Sequence, residues 1–421
     1  MLPTFNSIYR IGGHGLSCLR GYDAPRFNAR LNQVQQISEV SRDFSRWRTH
    51  LTWVLMFAGV VGLVIAIAVN APDARLAADQ NWSPFVLVTG LLLVGLVAND
   101  DGLFAAAGNQ LARASTNGVV LFVGATVMIG SVTAVLNLDT SVAFLTPVLI
   151  YTARSRGGGE APLLYGCLLL SNAGSLFLPG SNLTNLIVLG HFHLSGAAFF
   201  ADMWAPALAA LVVTAAVIVV VERRGLKVDH MEPVELMKPT LGLGLAAVLA
   251  ATVLVVVLHS PALAVFAVGL FVVGIRLVRQ KENIRHVLEV VGVPVLVGLF
   301  GIAVALGTLG RLWSGPASLL GHLDTWASAG LAAVLSVVVN NLPAASLLAA
   351  RTPSHPFALL IGLNLGPNLF VTGSLAWILW LKAARMAGAS PSIARASRLG
   401  LIAVPLSMAA ALVVLSARGL A

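Results

Sequence analysis

Apolar residues in this chain fall in long runs, without the alternation of a strand or the narrow stripe of a soluble amphipathic helix. The runs 51–69, 85–100, 162–190, 205–221, 241–258, 262–278, 290–309, 357–381 and 399–417 approach or exceed the roughly 20 residues a helix needs to cross a bilayer. Two further stretches, about 118–153 and 325–350, are each interrupted by a polar knot. The first knot is Asn137-Leu138-Asp139-Thr140-Ser141 and the second is Asn340-Asn341-Leu342-Pro343. Residues 1–50 hold no spanning run, no basic-then-apolar leader and many arginines, which predicts a basic cytosolic arm.

The order of the runs repeats. In the first half a crossing (85–100) precedes the knotted stretch, a polar Gly-rich crossing (162–190) and a plain one (205–221). The second half runs 290–309, knotted stretch, polar crossing 357–381, then 399–417. Asn172-Ala173-Gly174 leads to Gly180-Ser181 as Asn364-Leu365-Gly366 leads to Gly373-Ser374. This predicts a first repeat over 51–225, a linker over 226–240 and a second repeat over 241–421.

Composition and charge sharpen the picture. Apolar residues make up 57% of the chain and charged ones only 10%, too few to wet a soluble surface. Soluble enzymes, nucleic-acid-binding proteins and disordered chains are thereby excluded. If each knotted stretch returns to its side of origin, only Arg75, Arg311, Arg351 and Arg418 of the 26 Lys and Arg fall on the outer side. That is a strong positive-inside bias with the N-terminus in the cytoplasm of a cell inner (plasma) membrane. On this map 162–190 and 357–381 run in opposite directions. The expected fold is an all-α polytopic membrane protein with an inverted repeat, an architecture of secondary transporters.

The candidate chemistry sits where the helices break. An unpaired backbone group in hydrocarbon costs several kcal/mol, so broken helices persist only where they are buried or line a wet cavity. Four breaks occur in symmetric places: the two knots, Asn172–Asn185 and Asn364–Ser374. Four such clusters outweigh the alternative that these residues are helix-packing glue. Asp139 is the only carboxylate inside an apolar stretch. It reads as a cation- or proton-coupling group, or alternatively as a cap on the returning helix. Asp100 and Asp101 read as interface residues, His191 and His193 as solvated ones, and Cys167 as a small apolar side chain. Cys18 and Cys167 fit no disulfide framework. HExxH, GxSxG and nucleotide-binding motifs are missing; neither an enzyme nor a cofactor is expected, and transport would draw on a gradient or on a separate cytosolic ATPase subunit.

The segments LNLDTSVAFLTPVLI (136–150), LPGSNLTNLIV (178–188), VNNLPAASLLA (339–349) and IGLNLGPNLFVTGSLAWILWL (361–381) resemble the arsenite/antimonite efflux permeases. More widely they resemble the ion transporter superfamily, which includes sodium/proton antiporters and dicarboxylate carriers. The resemblance implies an ion-transporter fold with two re-entrant hairpins and two broken helices, assembled as a homodimer of scaffold and elevator-like transport domains. It implies solute-binding roles for Asn137 and Thr140 at one hairpin tip and for Asn340 and Asn341 at the other. Ser181, Asn182 and Asn185 would act in one unwound helix, and Asn364, Asn368, Thr372 and Ser374 in the other, with Asp139 as the ion-coupling residue. The chain departs from many arsenite permeases around Leu365-Gly366-Pro367, where it lacks their acidic residue, Cys and Lys. The first expectation is arsenite or antimonite efflux coupled to proton entry. The alternatives are a sodium- or proton-coupled organic-anion (dicarboxylate) carrier, a cation/proton antiporter, and, from a different class, a channel or non-transporting receptor. Expected partners are the inorganic solute, protons and the lipid bilayer, with no nucleic acid.

Overall fold

The computed structural model describes residues 24–192, 194–227, 242–280 and 282–420, with side chains from Thr52 onward. Among these residues the regular structure is entirely helical. Met1–Val54 and Leu55–Ala421 form separate units, and the description below concerns the second. The arm 1–50, Cys18, His193 and all but two residues of the expected linker 226–240 lie outside the residues with described side chains.

The first helix, α1 (Ala24–Asp100), is two helices joined at Asn70, whose φ of −155° and ψ of 90° are non-helical. The backbone of Gly59 lies against Gly298, and Phe85 packs edge-on to Phe300 with 5.4 Å between ring centroids. Residues 298 and 300 differ by about 3 Å of helical rise, whereas a straight helix from 59 to 85 would extend about 39 Å. The chain therefore doubles back at Asn70. Its side-chain Oδ1 accepts the N–H of Asp73 at 3.1 Å, an N-cap for the returning limb. The expected crossings 51–69 and 85–100 are these two limbs, the second longer than its apolar run.

The next helix, α2 (Leu103–Ala114), is a short amphipathic piece burying Phe104, Gly108 and Ala112; with Asn109, Gln110 and Arg113 in it, no apolar run announced it. The first knotted stretch is the pair α3 (Gly118–Leu136) and α4 (Leu138–Ser155), packed on each other. The first polar crossing is α5 (Ala161–Gly174), a break holding a 3-10 turn Pro179–Ser181, and α6 (Leu183–Leu189). The plain crossing after it is α7 (Gly196–Val221). Then come the packed pair α8 (Leu243–Val257) and α9 (Ala262–Val278). An amphipathic α10 (Ile284–Val291) meets α11 (Val293–Leu312) at Gly292, φ 64°, and is followed by α12 (Gly315–His322). The second half closes with the pair α13 (Thr325–Val339) and α14 (Asn341–Leu348). After these come α15 (Pro356–Leu365), a 3-10 turn Gly366–Leu369, α16 (Leu375–Met386) and α17 (Ile393–Ala417).

The inversion is visible in the packing. Arg418 at the end of α17 donates to Ala201 O near the start of α7 at 2.7 Å and lies over the Trp204 ring. At the other end of the pair, Arg395 holds the buried Glu222 with two hydrogen bonds. The equivalent helices α7 and α17 therefore run antiparallel. Exchange between halves recurs inside: α4 packs on α16 and α14 on α6. Helix α5 is buried throughout from Pro162 to Gly174, and α15 from Ala358 to Leu365. Helices apolar on every side belong at the centre, so the broken helices form the core. Large apolar side chains such as Phe57, Val64, Val253 and Phe271 face outward from α1, α8 and α9, where the neighbours in a bilayer are lipid chains. Among the described residues, five helices are long and apolar enough to cross a membrane, including Gly118–Leu136, Gly196–Val221 and Ile393–Ala417.

Candidate functional site

Each break frees backbone carbonyls that water cannot reach, and nearby polar side chains take them up. After α5, Ser181 Oγ donates to the carbonyls of Ser175 and Leu178. Asn185 Nδ2 donates to the same two oxygens at 2.7 and 3.3 Å. After α15, the buried Trp377 donates Nε1–H to Pro367 O at 2.8 Å. Gly400 lets α17 reach the carbonyl of Asn368, where any Cβ would collide with it.

The two breaks then bond to each other. Asn364 Oδ1 accepts from Ser175 Oγ at 2.5 Å and Asn182 Nδ2 at 2.7 Å. Its Nδ2 donates to Asn185 Oδ1 at 2.7 Å and Leu360 O at 2.8 Å. Both donors and both oxygen lone pairs are thereby used. One turn on, Asn172 Nδ2 donates to Asn368 Oδ1 at 2.8 Å, and Asn368 Nδ2 donates to Leu169 O at 3.1 Å. All these side chains are buried, so helices 180–200 residues apart in sequence are joined by a lattice of amides and hydroxyls.

The hairpin tips flank this lattice. Asn137 (φ 87°, ψ 166°) and Asn340 (φ 80°, ψ 149°) have nearly the same backbone geometry, in a region that costs a non-glycine residue about 1–3 kcal/mol. Each ends one helix and caps the next: Asn137 Oδ1 accepts Thr140 N–H at 2.8 Å, and Asn340 Oδ1 accepts Leu342 N–H. The cap on the returning helix is thus Asn137 rather than Asp139. The second tip is tied to the second break, with Asn340 Nδ2 on Thr372 O at 3.0 Å, Asn341 N on Gly373 O at 2.9 Å and Thr372 Oγ1 on Val337 O at 2.6 Å. The first tip touches α5 through Ser141 Oγ and Ser171 Oγ, 3.2 Å apart, and its Thr140 methyl rests on Gly95 of α1.

Around the first tip the bonding is incomplete. Among the described residues, Thr133 Oγ1, Asn137 Nδ2, Thr140 Oγ1 and Asn172 Oδ1 are buried without a hydrogen-bond partner, as are Thr184 Oγ1 and Ser374 Oγ at the two breaks. Thr133 O accepts Asn137 N–H, the Thr133 side chain lies by Gly174, and Ser141 touches Ser171, the neighbour of Asn172, so the first four residues lie where α3, α4 and α5 pack together. Asp139, half-buried in the first turn of α4, likewise has no ion-pair or hydrogen-bond partner among the described residues. Buried polar groups of this kind call for a partner, whether water, an ion or a polar solute.

The structure therefore brings together Ser181, Asn182, Asn185, Asn364 and Asn368, and sets Asn340, Asn341 and Thr372 beside the second break. Ser175, Asn172 and Thr133 were not singled out from sequence; Ser175 and Asn172 lay in plain view within the polar run 172–185. Other candidates lie elsewhere. Asp101 pairs with Arg276 and accepts Gly244 N–H at 2.7 Å, with Asp100 at 4.0 Å from Arg276, which joins α1 to α8 and α9. Cys167 is buried against Thr146 Oγ1. No cluster of three His, Cys, Asp or Glu able to hold a metal occurs among the described residues, and no Lys or Arg among them bonds to the breaks or tips.

Sequence comparison matches residues 44–381 to a family described as citrate transporter. Curated relatives include the arsenical pump membrane proteins of Escherichia coli K12 and Shigella flexneri, each 25% identical over 367 residues, covering 78% of this chain and 84% of theirs. That of Yersinia enterocolitica is 24% identical over 366 residues with the same coverage. Among solved structures, the YdaH transporter of Alcanivorax borkumensis aligns with a TM-score of 0.49 at 16% identity, over 86% of this chain and 97% of the other.

Proposed function

The chain belongs to the citrate transporter family, and from that premise we propose that this multi-pass membrane transporter exports arsenite or antimonite in exchange for protons. The observation that carries the reading is the set of neutral, unpartnered polar atoms at the α3–α4–α5 junction beside the lone carboxylate Asp139. A trihydroxy metalloid presents three O–H groups, each both donor and acceptor. Asn137 Nδ2 can donate to such a group, Asn172 Oδ1 can accept, and the Thr133 and Thr140 hydroxyls can do either. Asp139 would take up a proton from outside and release it inside, and its helix N-terminal position steadies the ionised form. Asn364, Asn182, Asn185 and Ser181, saturated by protein groups, would order the breaks rather than touch solute in this conformation. The curated relatives named as arsenical pump membrane proteins support the solute. An elevator step would carry the hairpins and broken helices as one body, for which their mutual bonding is suited.

The rival is an organic-anion carrier, as the family description suggests. In its favour, the N-termini of α14 and α16 meet where Asn341 N bonds Gly373 O, and helix N-termini attract carboxylates. Against it stands the lack of a Lys or Arg bonded to the breaks or tips among the described residues. Everted vesicles decide: arsenite accumulation that collapses with the pH gradient supports export, while citrate or succinate flux without metalloid flux replaces it with the carrier.

A further inference from the structure

Half-helices α6 and α14 have one end at the site and the other at a common polar knot. Each begins at the candidate site, α6 after Asn182 and α14 after Asn340. Being 7 and 8 residues long, they end only about 10–12 Å away. Their last carbonyls lack intrahelical partners. Gln80, on the returning limb of α1, supplies them: its Nε2 donates to Ile187 O of α6 at 3.0 Å and to Ala349 O, just past α14, at 2.9 Å. Gln80 is itself held, because its Oε1 accepts from Arg311 Nη2 at 2.7 Å. Arg311 is anchored in turn by Gly307 O at 3.0 Å, and its own carbonyl accepts from Arg351 at 2.6 Å. His191 Nε2 lies 2.8 Å from the same Ala349 oxygen. Positive charge at this knot suits the negative ends of both half-helices.

One amide thus ties both half-helices to α1 and, through Arg311, to α11. Beside it a cavity of about 270 Å³ runs along Gln80, Ser83, Leu186 and Leu189 to Pro179 and Gly180, the turn of the first break. The cavity therefore leads from the knot to the lattice of the site.

We propose that Gln80, anchored by Arg311, is a clasp that keeps this cavity narrow where it reaches the first break, and that its release opens the solute's path on the Arg311 and Arg351 face. The clasp rests on the transport reading only for its purpose; its geometry is independent of the solute. It predicts that α6 and α14 separate from α1 when Gln80 can no longer donate, widening access to residue 180.

The test places a cysteine at the end of the cavity. Gly180 has room for one, since an added Cβ would meet Val255 and Leu87 at ordinary contact distances of 3.4 and 3.5 Å. In a Cys18→Ser background, Gly180→Cys protein in lipid nanodiscs is treated with a membrane-impermeant maleimide, and labelling at residues 180 and 167 is followed by mass spectrometry. Cys167, buried in α5, reports any unfolding. Gln80→Ala and Gln80→Glu each remove the donors, and the Glu variant keeps the acceptor for Arg311. Both should raise labelling at 180 about tenfold, the equivalent of losing about 1.4 kcal/mol of closure, with Cys167 still protected. Arg311→Lys, which leaves Gln80 in place on a looser anchor, should give a smaller rise. Unchanged labelling at 180 in the variants that keep Cys167 protected overturns the clasp. Metalloid flux in vesicles separates the two ideas. Flux with unchanged labelling sinks the clasp and keeps the transporter assignment of solute, while faster labelling without flux of arsenite or antimonite does the reverse.

Discussion

The two hairpins share a backbone and differ in chemistry. Asn137 and Asn340 have nearly equal dihedrals and both cap the helix that follows. Around Asn340, however, most polar groups are occupied: its own amide, the Asn341 N–H and the Thr372 hydroxyl all bond protein carbonyls, and Ser374 Oγ at the adjoining break is the buried exception among the described residues. Around Asn137 four buried polar atoms lack partners, and Asp139 takes the place that Leu342 holds in the other half. Duplication with inversion has copied the geometry of a helix reversal, because that geometry is set by one Asn in a strained conformation. It has not copied the bonding, because side chains off the turn are free to diverge. The first tip keeps buried polar atoms without protein partners, and the second is tied to a break.

The comparison breaks most decisively at Asp139. Asp139→Asn keeps the shape but removes the titrating charge, so gradient-driven metalloid accumulation in vesicles should be abolished while purified protein melts as before. Retained accumulation would return the first hairpin to the same plain structural role as the second.

Next in size is the lattice that joins the halves. Asn364→Leu leaves Asn182 Nδ2 and Asn185 Oδ1 buried without their partner, at about 1–3 kcal/mol for each unsatisfied group, while Ser175 Oγ keeps Asn172 O. A thermal melt should show a large loss of stability, greater than for Asn368→Leu, after which Asn172 Nδ2 still holds Leu168 O. Equal melting points would mean that the two Asn links contribute alike.

Thr140→Val and Thr372→Val then separate the hairpins directly. The Thr140 hydroxyl has no partner, so its removal should leave stability unchanged or slightly raised while weakening arsenite binding about tenfold, near 1.4 kcal/mol. The Thr372 hydroxyl bonds Val337 O at 2.6 Å, so the matching change should cost about 0.5–1.5 kcal/mol and leave affinity alone. Melting curves paired with metalloid binding isotherms read both.

The smallest effect is expected where the hairpins are alike. Asn137→Gly and Asn340→Gly relieve the positive φ but lose the cap, terms of opposite sign; Asn340→Gly also loses the bond to Thr372 O, so it should melt slightly below Asn137→Gly, by about 0.5–1.5 kcal/mol at most. Alanine at either position loses the cap without relieving the strain, and should cost more than glycine in both hairpins.

Much of this protein is written locally. Runs such as 205–221 and 399–417 have one stable state in a bilayer, because a helix alone satisfies its own backbone there. The polar runs 172–185 and 364–374, placed alike in both halves, marked the breaks for the same reason. What sequence left open depends on distant partners. That Ser175 and Asn172 matter, that Asn364 has its polar groups saturated by the protein, and that Thr133 joins an unsatisfied cluster follow from contacts between helices as many as 196 residues apart. The short pieces α2, α10 and α12 have no length signal in the sequence, being helices of 8 to 12 residues with mixed composition, and their packing sets them. Gln80 lies just beyond an apolar run, chemically ordinary, and acquires its role because the chain reverses at Asn70 and brings it to the ends of α6 and α14. The sequence by itself determined the long apolar helices, where the polar crossings break and that the halves are inverted, since those follow from backbone satisfaction in an apolar medium. Only the tertiary structure decided which polar groups are bound by the protein and which have no protein partner, since a side chain's hydrogen-bonding state belongs to its neighbours in space.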